Sequence, residues 1–246
     1  MSSTVGQKNT MRLVSWNCKS AFHRKHRLVC DLKPDVLIIP ECEKLESSSL
    51  NFGELSIRSF QWVGTNPKKG IAVFSFGDYE FEVLPFFNPK HRWVIPLRVS
   101  GKKSFLLLAV WAMPNAESGS YVQPIFEALE EYGDIIDSEP IYIMGDFNAN
   151  YIFDRPNRIY KFQDLVTDLS QKGIRSLFHE QHGAKHGKED LKTFFMYHHA
   201  DKGYHIDYIF GGKNVRNESF DVRLGSFSEW HKHSDHVPLI YNEIDE

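Results

Sequence analysis

The stretch PIYIMGDFN, residues 140–148, joins a strongly apolar run to a group of polar side chains. Its residues IYIM are apolar at consecutive rather than alternate positions, so a strand formed here must be covered on both faces. The runs LIIP at 37–40 and FLLLAVWA at 105–112 have the same character. Strands covered on both faces predict a sheet that packs between helices or against a second sheet.

Working outward from this stretch, helical spacing of apolar residues is clearest at 120–137, with Ser120 as the expected N-cap. Further helices are predicted at 23–34 and at 162–173, the latter ending at Gly173. Many strands and few helices indicate a mixed, layered α/β protein. Short apolar runs bounded by Gly, Pro, Asn or charged residues predict strands at 11–16, 35–40, 71–76, 80–86, 104–113, 140–145, 205–210 and 236–241.

The composition sets limits on the class of protein. The 246 residues are 41% hydrophobic, enough for a substantial core, and we expect one domain at 11–246 after a flexible segment at 1–10. No stretch approaches the roughly 20 apolar residues of a membrane helix, and the polar N-terminus does not resemble a secretory signal. The three cysteines cannot all pair with one another, which favours a reducing, cytoplasmic location.

The charge balance bears on the partners. Lys and Arg number 29 and Asp and Glu 32, a formal net charge of −3. This argues against nucleic-acid binding through bulk positive charge, while a local basic patch stays open. The sequence does not indicate an oligomeric state.

Polar residues stand where several predicted strands end. Carboxylates beside Asn and His at a shared sheet edge are suited to Mg²⁺ or Mn²⁺, which bind through one or two carboxylates and the phosphate of a substrate. Each residue alone could be a turn former or a cap, but their combined placement favours a functional site. The residues concerned are Asn17, Glu41, Asp146, Asn148, Asp235 and His236.

Six short motifs in this order resemble the endonuclease/exonuclease/phosphatase superfamily, over nearly the whole chain. The resemblance implies an α/β fold, a four-layer sandwich of two packed mixed β-sheets flanked by helices. It also implies Mg²⁺- or Mn²⁺-dependent hydrolysis of a phosphoester by in-line attack of water. The motifs are SWN (15–17), IIPE (38–41), MPN (113–115), GDFN (145–148), HIDYIF (205–210) and SDH (234–236).

The same resemblance implies roles for individual residues. Glu41 would be the main metal ligand, with Asn17 near the metal and phosphate, and Asp235 would complete the metal environment. Asp146 would orient and deprotonate the attacking water. Asn148 would hydrogen-bond a phosphoryl oxygen, while His236, held by Asp207, would stabilise the developing negative charge.

The chain departs from the family pattern at Trp111 and Ala112. Pancreatic-type deoxyribonucleases have a second catalytic histidine near Trp111, and abasic endonucleases have a tyrosine near Ala112. Neither group is present here, so Lys69, Arg92 or a nearby histidine is a candidate replacement. The residues that we expect at the substrate are Asn115 of the MPN motif, Arg155 with Arg158 after GDFN, Tyr204 before HIDYIF, and His231 before SDH.

His182 and His186 stand four residues apart and could suggest a zinc site. Gly183 and Gly187 interrupt the segment, and no Glu lies between the two histidines as it does in a zincin helix. We therefore interpret this region as a solvated, Gly-rich loop.

Three functions stay open at this point. The leading hypothesis is a divalent-metal-dependent phosphodiester hydrolase, namely a nuclease that acts on DNA or RNA. The alternative is a phosphomonoesterase or a small-molecule phosphodiesterase of the same fold. The third is a binding module without activity, which retention of the predicted catalytic residues disfavours.

Overall fold

The computed structural model describes residues 11–136, 140–216 and 218–244. Within them, two six-stranded sheets form the centre of the protein. The segment 1–10, for which we predicted flexibility, lies outside the described residues. The strands are β1 Arg12–Ser15, β2 Val36–Cys42, β3 Ile57–Asn66, β4 Lys69–Phe76, β5 Glu80–Val83, β6 Val94–Ser100, β7 Phe105–Trp111, β8 Ile141–Asp146, β9 Arg175–Ser176, β10 Phe194–Phe195, β11 Gly203–Tyr204, β12 Asp207–Gly211, β13 Ser219–Leu224 and β14 Leu239–Ile244.

The first sheet has the order β13-β14-β1-β2-β4-β3, and the second has the order β5-β6-β7-β8-β12-β9. Both are mixed, because β1 is parallel to β2 and β7 is parallel to β8, whereas the other pairs are antiparallel. The short strands β10 and β11 form a separate antiparallel pair.

Alternate residues of the central strands belong to different cores. In β2, Ile38 faces the core between the sheets, while Leu37 faces a core on the outer side of its sheet. In β7, Leu107 faces the core between the sheets and Leu108 faces the helices outside the second sheet. The consecutive apolar residues are therefore buried on both faces, and the predicted four-layer sandwich of two mixed sheets flanked by helices is confirmed.

The helices lie outside the sheets, and none within the described residues is long and apolar enough to cross a membrane. The N-cap of the helical region predicted at 120–137 is Val122 rather than the expected Ser120, although Ser120 Oγ accepts hydrogen bonds from the N–H groups of Val122 and Gln123 (both 3.2 Å). That region divides at Tyr132, and its last residue lies outside the described part of the chain. The α-helices are α1 Gln123–Glu131, α2 Gly133–Ile136, α3 Phe162–Gln171, α4 Leu177–His182, α5 Lys213–Arg216 and α6 Phe227–Trp230.

The α-helix predicted at 23–34 is wrong. The chain forms two 3₁₀ segments there, Phe22–Arg24 and His26–Leu32, and neither has a side-chain N-cap of its own. The first N–H groups bind instead to Glu43, whose carboxylate oxygens lie 2.9 Å from the backbone nitrogens of Phe22 and His23. The segment lacks a continuous apolar face. A carboxylate that is distant in sequence binds its free N–H groups.

Strands β3, β6 and β13 have no counterpart among the predicted strands, and neither do the two-residue strands β9, β10 and β11. Strands β3 and β13 are edge strands with half-buried residues, so their sequences lack a long apolar run. Strand β6 contains Pro96, which lacks a backbone N–H and lowers the strand signal even though β6 lies between β5 and β7.

Candidate active site

Two carboxylates meet at the ends of two neighbouring inner strands of the second sheet. Asp146 is the last residue of β8 and Asp207 is the first of β12, and the two are directly opposite each other in the antiparallel register. Asp146 also lies beside Trp111, the last residue of β7. Both carboxylates are buried, so strand ends from distant parts of the sequence form one enclosed acidic pair.

The close approach of β7 and β8 explains the glycine before Asp146. Gly145 has φ +148°, and a Cβ atom there would lie 1.9 Å from the carbonyl oxygen of Val110. Only a residue without a side chain fits this position. The glycine of GDFN thus lets the strand bring Asp146 to the sheet edge.

Two amides orient the Asp146 carboxylate. Asn17, just after β1, donates from Nδ2 to Asp146 Oδ2 (2.9 Å), and Asn148 donates to the same oxygen (3.1 Å). The backbone N–H of Asn148 donates to Oδ1 (2.9 Å), which is possible because Asn148 adopts a left-handed conformation with φ 48°. The carboxylate is therefore held between the two sheets rather than free to rotate.

The environment of Asp146 makes its proton affinity high. Burial and, secondly, the charge of Asp207 raise its pKa to about 7, although His236 and the donor groups act in the opposite direction. A carboxyl group with this pKa can accept and release a proton near neutral pH, which is the property of a general base.

Asp207 pairs with the histidine of the SDH motif. His236 Nδ1 donates to Asp207 Oδ2 at 2.9 Å, and both side chains are buried. Thr193 holds the strand end, because its Oγ1 accepts from the backbone N–H groups of Ile206 and Asp207 (both 3.0 Å). Ser234 fixes the other side, because its Oγ accepts from the N–H of His236 (3.1 Å) and donates to the carbonyl of Asn17 (2.8 Å).

His236 is held as a cation. Burial by itself lowers its pKa, but the charge and hydrogen bond of Asp207, with the charge of Asp146, outweigh this and raise the pKa to about 9. With Nδ1 on Asp207, the ring offers Nε2 as its remaining donor. A buried imidazolium beside a carboxylate with a pKa near 7 is an arrangement typical of paired acid and base groups.

Glu41 lies at the end of β2, next to the residues that follow β1. Cys18 N donates to the carbonyl of Pro40 (3.2 Å), which places Asn17 and Glu41 on neighbouring strand ends. Glu41 has φ 61° and is the extra residue of a β-bulge, which turns its side chain out of the strand. Its Oε2 pairs with Lys69 Nζ at 2.7 Å.

Asp235 is paired in a similar way. Its Oδ2 lies 2.8 Å from Lys19 Nζ, and the same ammonium lies 2.8 Å from His198 Nε2. Burial raises the pKa of Asp235, but the hydrogen bond from Lys19 and the charge of His236 outweigh this and lower it. Each outer carboxylate of the site therefore has a lysine within ion-pair distance.

The residues present fit a divalent cation of the magnesium class. Ligand atoms of Asp146, Asp207 and His236 lie within 4.8 Å of one another, and Asp207 Oδ1 is buried with no hydrogen-bond partner among the described residues. The positive charge of His236 makes it a poor metal ligand, because a ligating histidine must be neutral. The carboxylate oxygens of Asp146 and Asp207 are therefore the better donors for a hard cation, and Glu41 offers a further carboxylate on the strand end beside Asn17.

Tyr204 is connected to His236 through the ring of Phe194. The ring of Phe194 lies 4.8 Å from that of His236 and stacks on Tyr204 at 6.3 Å. Phe153 lies beyond Tyr204 at 5.3 Å and is 40% exposed. The three aromatic rings form a wall that leads from His236 to the surface.

The other expected substrate residues lie in less direct positions. Asn115 Oδ1 accepts from the N–H groups of Glu117 (2.9 Å) and Ser118 (3.0 Å), so it organises its own loop. His231 Nδ1 is bound to the Phe227 carbonyl at 2.8 Å. Arg155 is exposed in the loop after residues 151–153.

Lys69 is the candidate best placed to replace the absent histidine or tyrosine. Its ammonium lies 5.9 Å from the ring centroid of Trp111 and also contacts Glu41. Arg92, the other candidate, binds the carbonyl of Pro89 (2.8 Å) and lies over Trp93. The structure therefore favours Lys69.

The interpretation of the region around His182 and His186 as a solvated loop is wrong for His186. Its ring stacks on His179 with 3.6 Å between centroids and lies 5.0 Å from Tyr151 on the other side. His182 is separate, because its ring packs on Phe178. Long-range packing of α4 against the segment after GDFN decides this, and local spacing could not reveal it.

Several residues that shape the site are absent from the sequence prediction. No sequence motif includes Thr193, Phe194 or Lys19. Each of them contacts a site residue that is far away in the sequence. Ser234 is part of SDH, and its position beside Asp235 is a signal that could have identified it. Thr193, Phe194 and Lys19 could be identified as part of the site only once the strand register was known.

No protein-family model and no curated protein sequence matches the chain. Solved structures do match it. A structure of the 3′ phosphatase NExo from Neisseria bound to product DNA hairpin is 21% identical, with TM-score 0.68, covering 96% of this chain and 100% of that one. An AP endonuclease from Archaeoglobus fulgidus is 17% identical, with TM-score 0.67, covering 94% and 98%. The endonuclease domain of TRAS1, a telomere-specific non-LTR retrotransposon, is 15% identical, with TM-score 0.64, covering 95% and 98%.

These similarities cover nearly the full length of each chain at low identity, so they establish the fold. The protein shares its fold with these solved endonuclease and phosphatase structures, and this is the fold that its motifs predict. One fold can support many reactions, so the reaction depends on the residues of the site.

Proposed function

We propose that the protein is a divalent-metal-dependent phosphodiester hydrolase that acts on nucleic acid. The observation that carries this proposal is the buried group of Asp146, Asp207 and His236, in which a carboxyl group with a raised pKa lies beside an imidazolium. Hydrolysis of a phosphodiester requires a base for the attacking water and positive charge for the phosphoryl oxygens. The site offers both groups.

Each residue of the group has a separate task. Asp146 accepts the proton of the attacking water, with Asn17 and Asn148 donating to its Oδ2. We also assign Asn148 to a phosphoryl oxygen, to which its Nδ2 would donate in place of the Ala112 carbonyl (3.0 Å). His236 donates from Nε2 to a phosphoryl oxygen on which negative charge develops. Asp207 keeps the imidazole oriented and protonated through Nδ1.

We assign the metal, Mg²⁺ or Mn²⁺, to Glu41 as the main ligand, with Asn17 and Asp235 completing its environment. A divalent cation bound there offsets the negative charge of the phosphate and of the transition state. Lys69 already contacts Glu41, so its ammonium is close enough to share the phosphate charge. Lys19 neutralises Asp235 on the opposite side.

A nucleic-acid substrate is favoured by the surroundings of the site. Aromatic rings stack on bases, and the wall of Phe194, Tyr204 and Phe153 begins at the catalytic histidine. Arg155 in the adjoining loop supplies a cation for the backbone, and we assign Asn115 and His231 to the rim of the substrate site. The similar NExo structure is bound to a product DNA hairpin.

A second candidate is a phosphomonoesterase that acts at a nucleic-acid end or on a small phosphoester. It would use the same carboxylates and histidine, and NExo is described as a 3′ phosphatase. An inactive binding module is disfavoured, because the acid, the base and their orienting groups are all in hydrogen-bonded positions.

We also propose that residues 11–246 form one catalytic domain and that the protein is cytoplasmic. The free state of Cys18, Cys30 and Cys42 supports a reducing compartment.

The test is a panel of end-labelled single-stranded and double-stranded DNA, RNA, a 3′-phosphorylated oligonucleotide and a soluble phosphoester. Each is assayed with Mg²⁺, Mn²⁺ and EDTA, using wild type and Asp146→Asn. We expect internal or terminal cleavage of nucleic acid that EDTA and the substitution both abolish. Release of inorganic phosphate alone would favour the second candidate. Metal-independent cleavage, or cleavage by Asp146→Asn at the wild-type rate, would contradict the proposal.

A further inference from the structure

A second group of metal-binding side chains lies outside the proposed active site. Ligand atoms of His179, His186 and Glu189 lie within 4.8 Å of one another. His179 belongs to α4, while the other two belong to the loop that follows it. The proposed hydrolytic reaction uses none of the three.

His179 is oriented as a metal-binding histidine is. Its Nδ1 is bound to Ser176 Oγ at 2.7 Å, which directs Nε2 towards Glu189 Oε1 at 3.1 Å. An outer hydrogen bond to one ring nitrogen commonly orients the other nitrogen of a ligating histidine towards its metal.

One further polar atom of this group lacks a hydrogen-bond partner. His186 Nδ1 is buried and has no hydrogen-bond partner among the described residues. Glu189 is 3% exposed, and its Oε1 accepts from Gly187 N (2.9 Å), Asn150 Nδ2 (3.1 Å) and His179. An unpaired nitrogen in a buried site is costly unless another group binds it.

The site also has a route from solvent. A cleft of about 300 Å³ on the surface is lined by Ser176, His179 and His186 together with neighbouring residues of α3 and α4. An ion can therefore reach the histidines without unfolding of the loop. The cleft also leaves room for a water molecule as an additional ligand.

We propose that His179, His186 and Glu189 form a second metal site that binds Zn²⁺. Two imidazoles and one carboxylate, with a fourth position left to water, are a typical zinc ligand set, whereas the oxygen-rich site at Glu41 suits a harder cation. This inference rests on the geometry of these residues and does not depend on the proposed hydrolytic function.

The position of the site indicates a structural role. Asn150 connects Glu189 to the Tyr208 hydroxyl (3.0 Å) and to the His205 carbonyl (2.8 Å), next to the catalytic strand β12. The ring of Tyr151 stacks on His186. Bound zinc would thus join the loop after α4 to the segment that follows GDFN and would stabilise the fold.

The test uses the full-length chain without a histidine tag. The protein is stripped with a chelator, incubated with Zn²⁺ in excess Mg²⁺ and desalted, and its zinc content is measured by elemental mass spectrometry. Wild type should retain about one more Zn²⁺ per chain than His186→Phe, which keeps a stacked ring but removes both nitrogens. Loss of a ligand should weaken zinc binding by at least about 100-fold, because changes to outer hydrogen bonds alone cost 10- to 100-fold.

His182→Phe is the matched control, because His182 lies four residues before His186 and packs on Phe178 instead. It should retain wild-type zinc content. Glu189→Gln is the second test variant, since it preserves an acceptor oxygen for Gly187 but removes the charge.

A thermal melt of stripped wild type with and without Zn²⁺ needs no substitution and should show a zinc-dependent rise in Tm. The proposal is overturned if stripped wild type neither retains zinc nor gains thermal stability from it. It is also overturned if folded His186→Phe and Glu189→Gln retain as much zinc as wild type.

Discussion

Asp146 and Asp207 lie directly opposite each other on β8 and β12, and both carboxylates are buried. Two adjacent buried negative charges are unfavourable, and the structure relieves this in two ways. Asp207 is paired with the His236 imidazolium, and the pKa of Asp146 is raised by burial and by its neighbour. The register of one strand pair therefore places a carboxyl group with a raised pKa beside a carboxylate that is paired with an imidazolium.

The first prediction concerns Asp146 as the proton acceptor. Asp146→Asn should lower the hydrolytic rate by about 10²- to 10⁴-fold, because an amide cannot accept the proton of water. The rate is measured with the substrate that the panel identifies, and the fold is checked by circular dichroism. Asp154→Asn is a suitable control, because this carboxylate caps α3 through the N–H groups of Phe162 and Gln163. Near wild-type activity of a folded Asp146→Asn protein would refute the assignment.

The second prediction concerns the pH dependence of kcat/KM. The active form requires Asp146 as a carboxylate and His236 as an imidazolium. The rate should rise as pH increases through about 7, where Asp146 loses its proton, and fall as pH increases through about 9, where His236 loses its own. Measuring kcat/KM against pH at saturating metal gives both the rising and the falling limb of the profile. A rate that still rises above pH 10 would contradict the role of His236.

The third prediction concerns the coupling through Asp207. Removing its charge with Asp207→Asn should lower the pKa of His236 and also that of Asp146, since this charge raises both. Both limbs of the pH profile should therefore move to lower pH, with a lower maximum rate. Asp221→Asn, on the edge strand β13, serves as a control that should leave both limbs in place. Loss of rate without any movement of the limbs would indicate a structural role for Asp207 only.

The fourth prediction concerns Lys69 as the replacement for the absent histidine or tyrosine. Lys69→Ala should lower the rate by about 10²-fold, as expected for loss of one group that stabilises the transition state, and Lys69→Arg should restore part of it. Lys68→Ala is the matched control, because Lys68 is the exposed neighbour. Equal rates for Lys69→Ala and Lys68→Ala would show that another residue fills this role.

The fifth prediction concerns stability. Gly145→Ala should lower the free energy of unfolding by about 2–5 kcal/mol, because the added Cβ meets the Val110 carbonyl and the φ of +148° is strained for alanine. Gly133→Ala, where a Cβ meets nothing within 4 Å, should be neutral or stabilising by up to about 1 kcal/mol. Urea denaturation measures both. Equal free energies of unfolding for Gly145→Ala and Gly133→Ala would mean that β7 and β8 can separate at this point.

Much of the fold was predictable from short apolar runs. Ile141–Met144 and Phe105–Val110 are apolar at successive positions, and both strands are buried on two faces. The edge strand β3 and the Pro96-containing β6 were not predictable in this way, since their local sequences lack the same pattern. The segment at 23–34 forms 3₁₀ turns rather than the predicted α-helix, and its first N–H groups bind Glu43, a partner that local spacing could not reveal.

The sequence alone indicated that Asp146 and Glu41 lie where buried strands end, because side-chain alternation and burial are local properties of a strand. Tertiary structure alone decided which charges face each other. The strand register put Asp207 beside Asp146, brought Lys19 and Lys69 to the outer carboxylates, and stacked His186 on His179. The reason is that pairing energies depend on distances between residues far apart in sequence, and packing of the two sheets sets those distances.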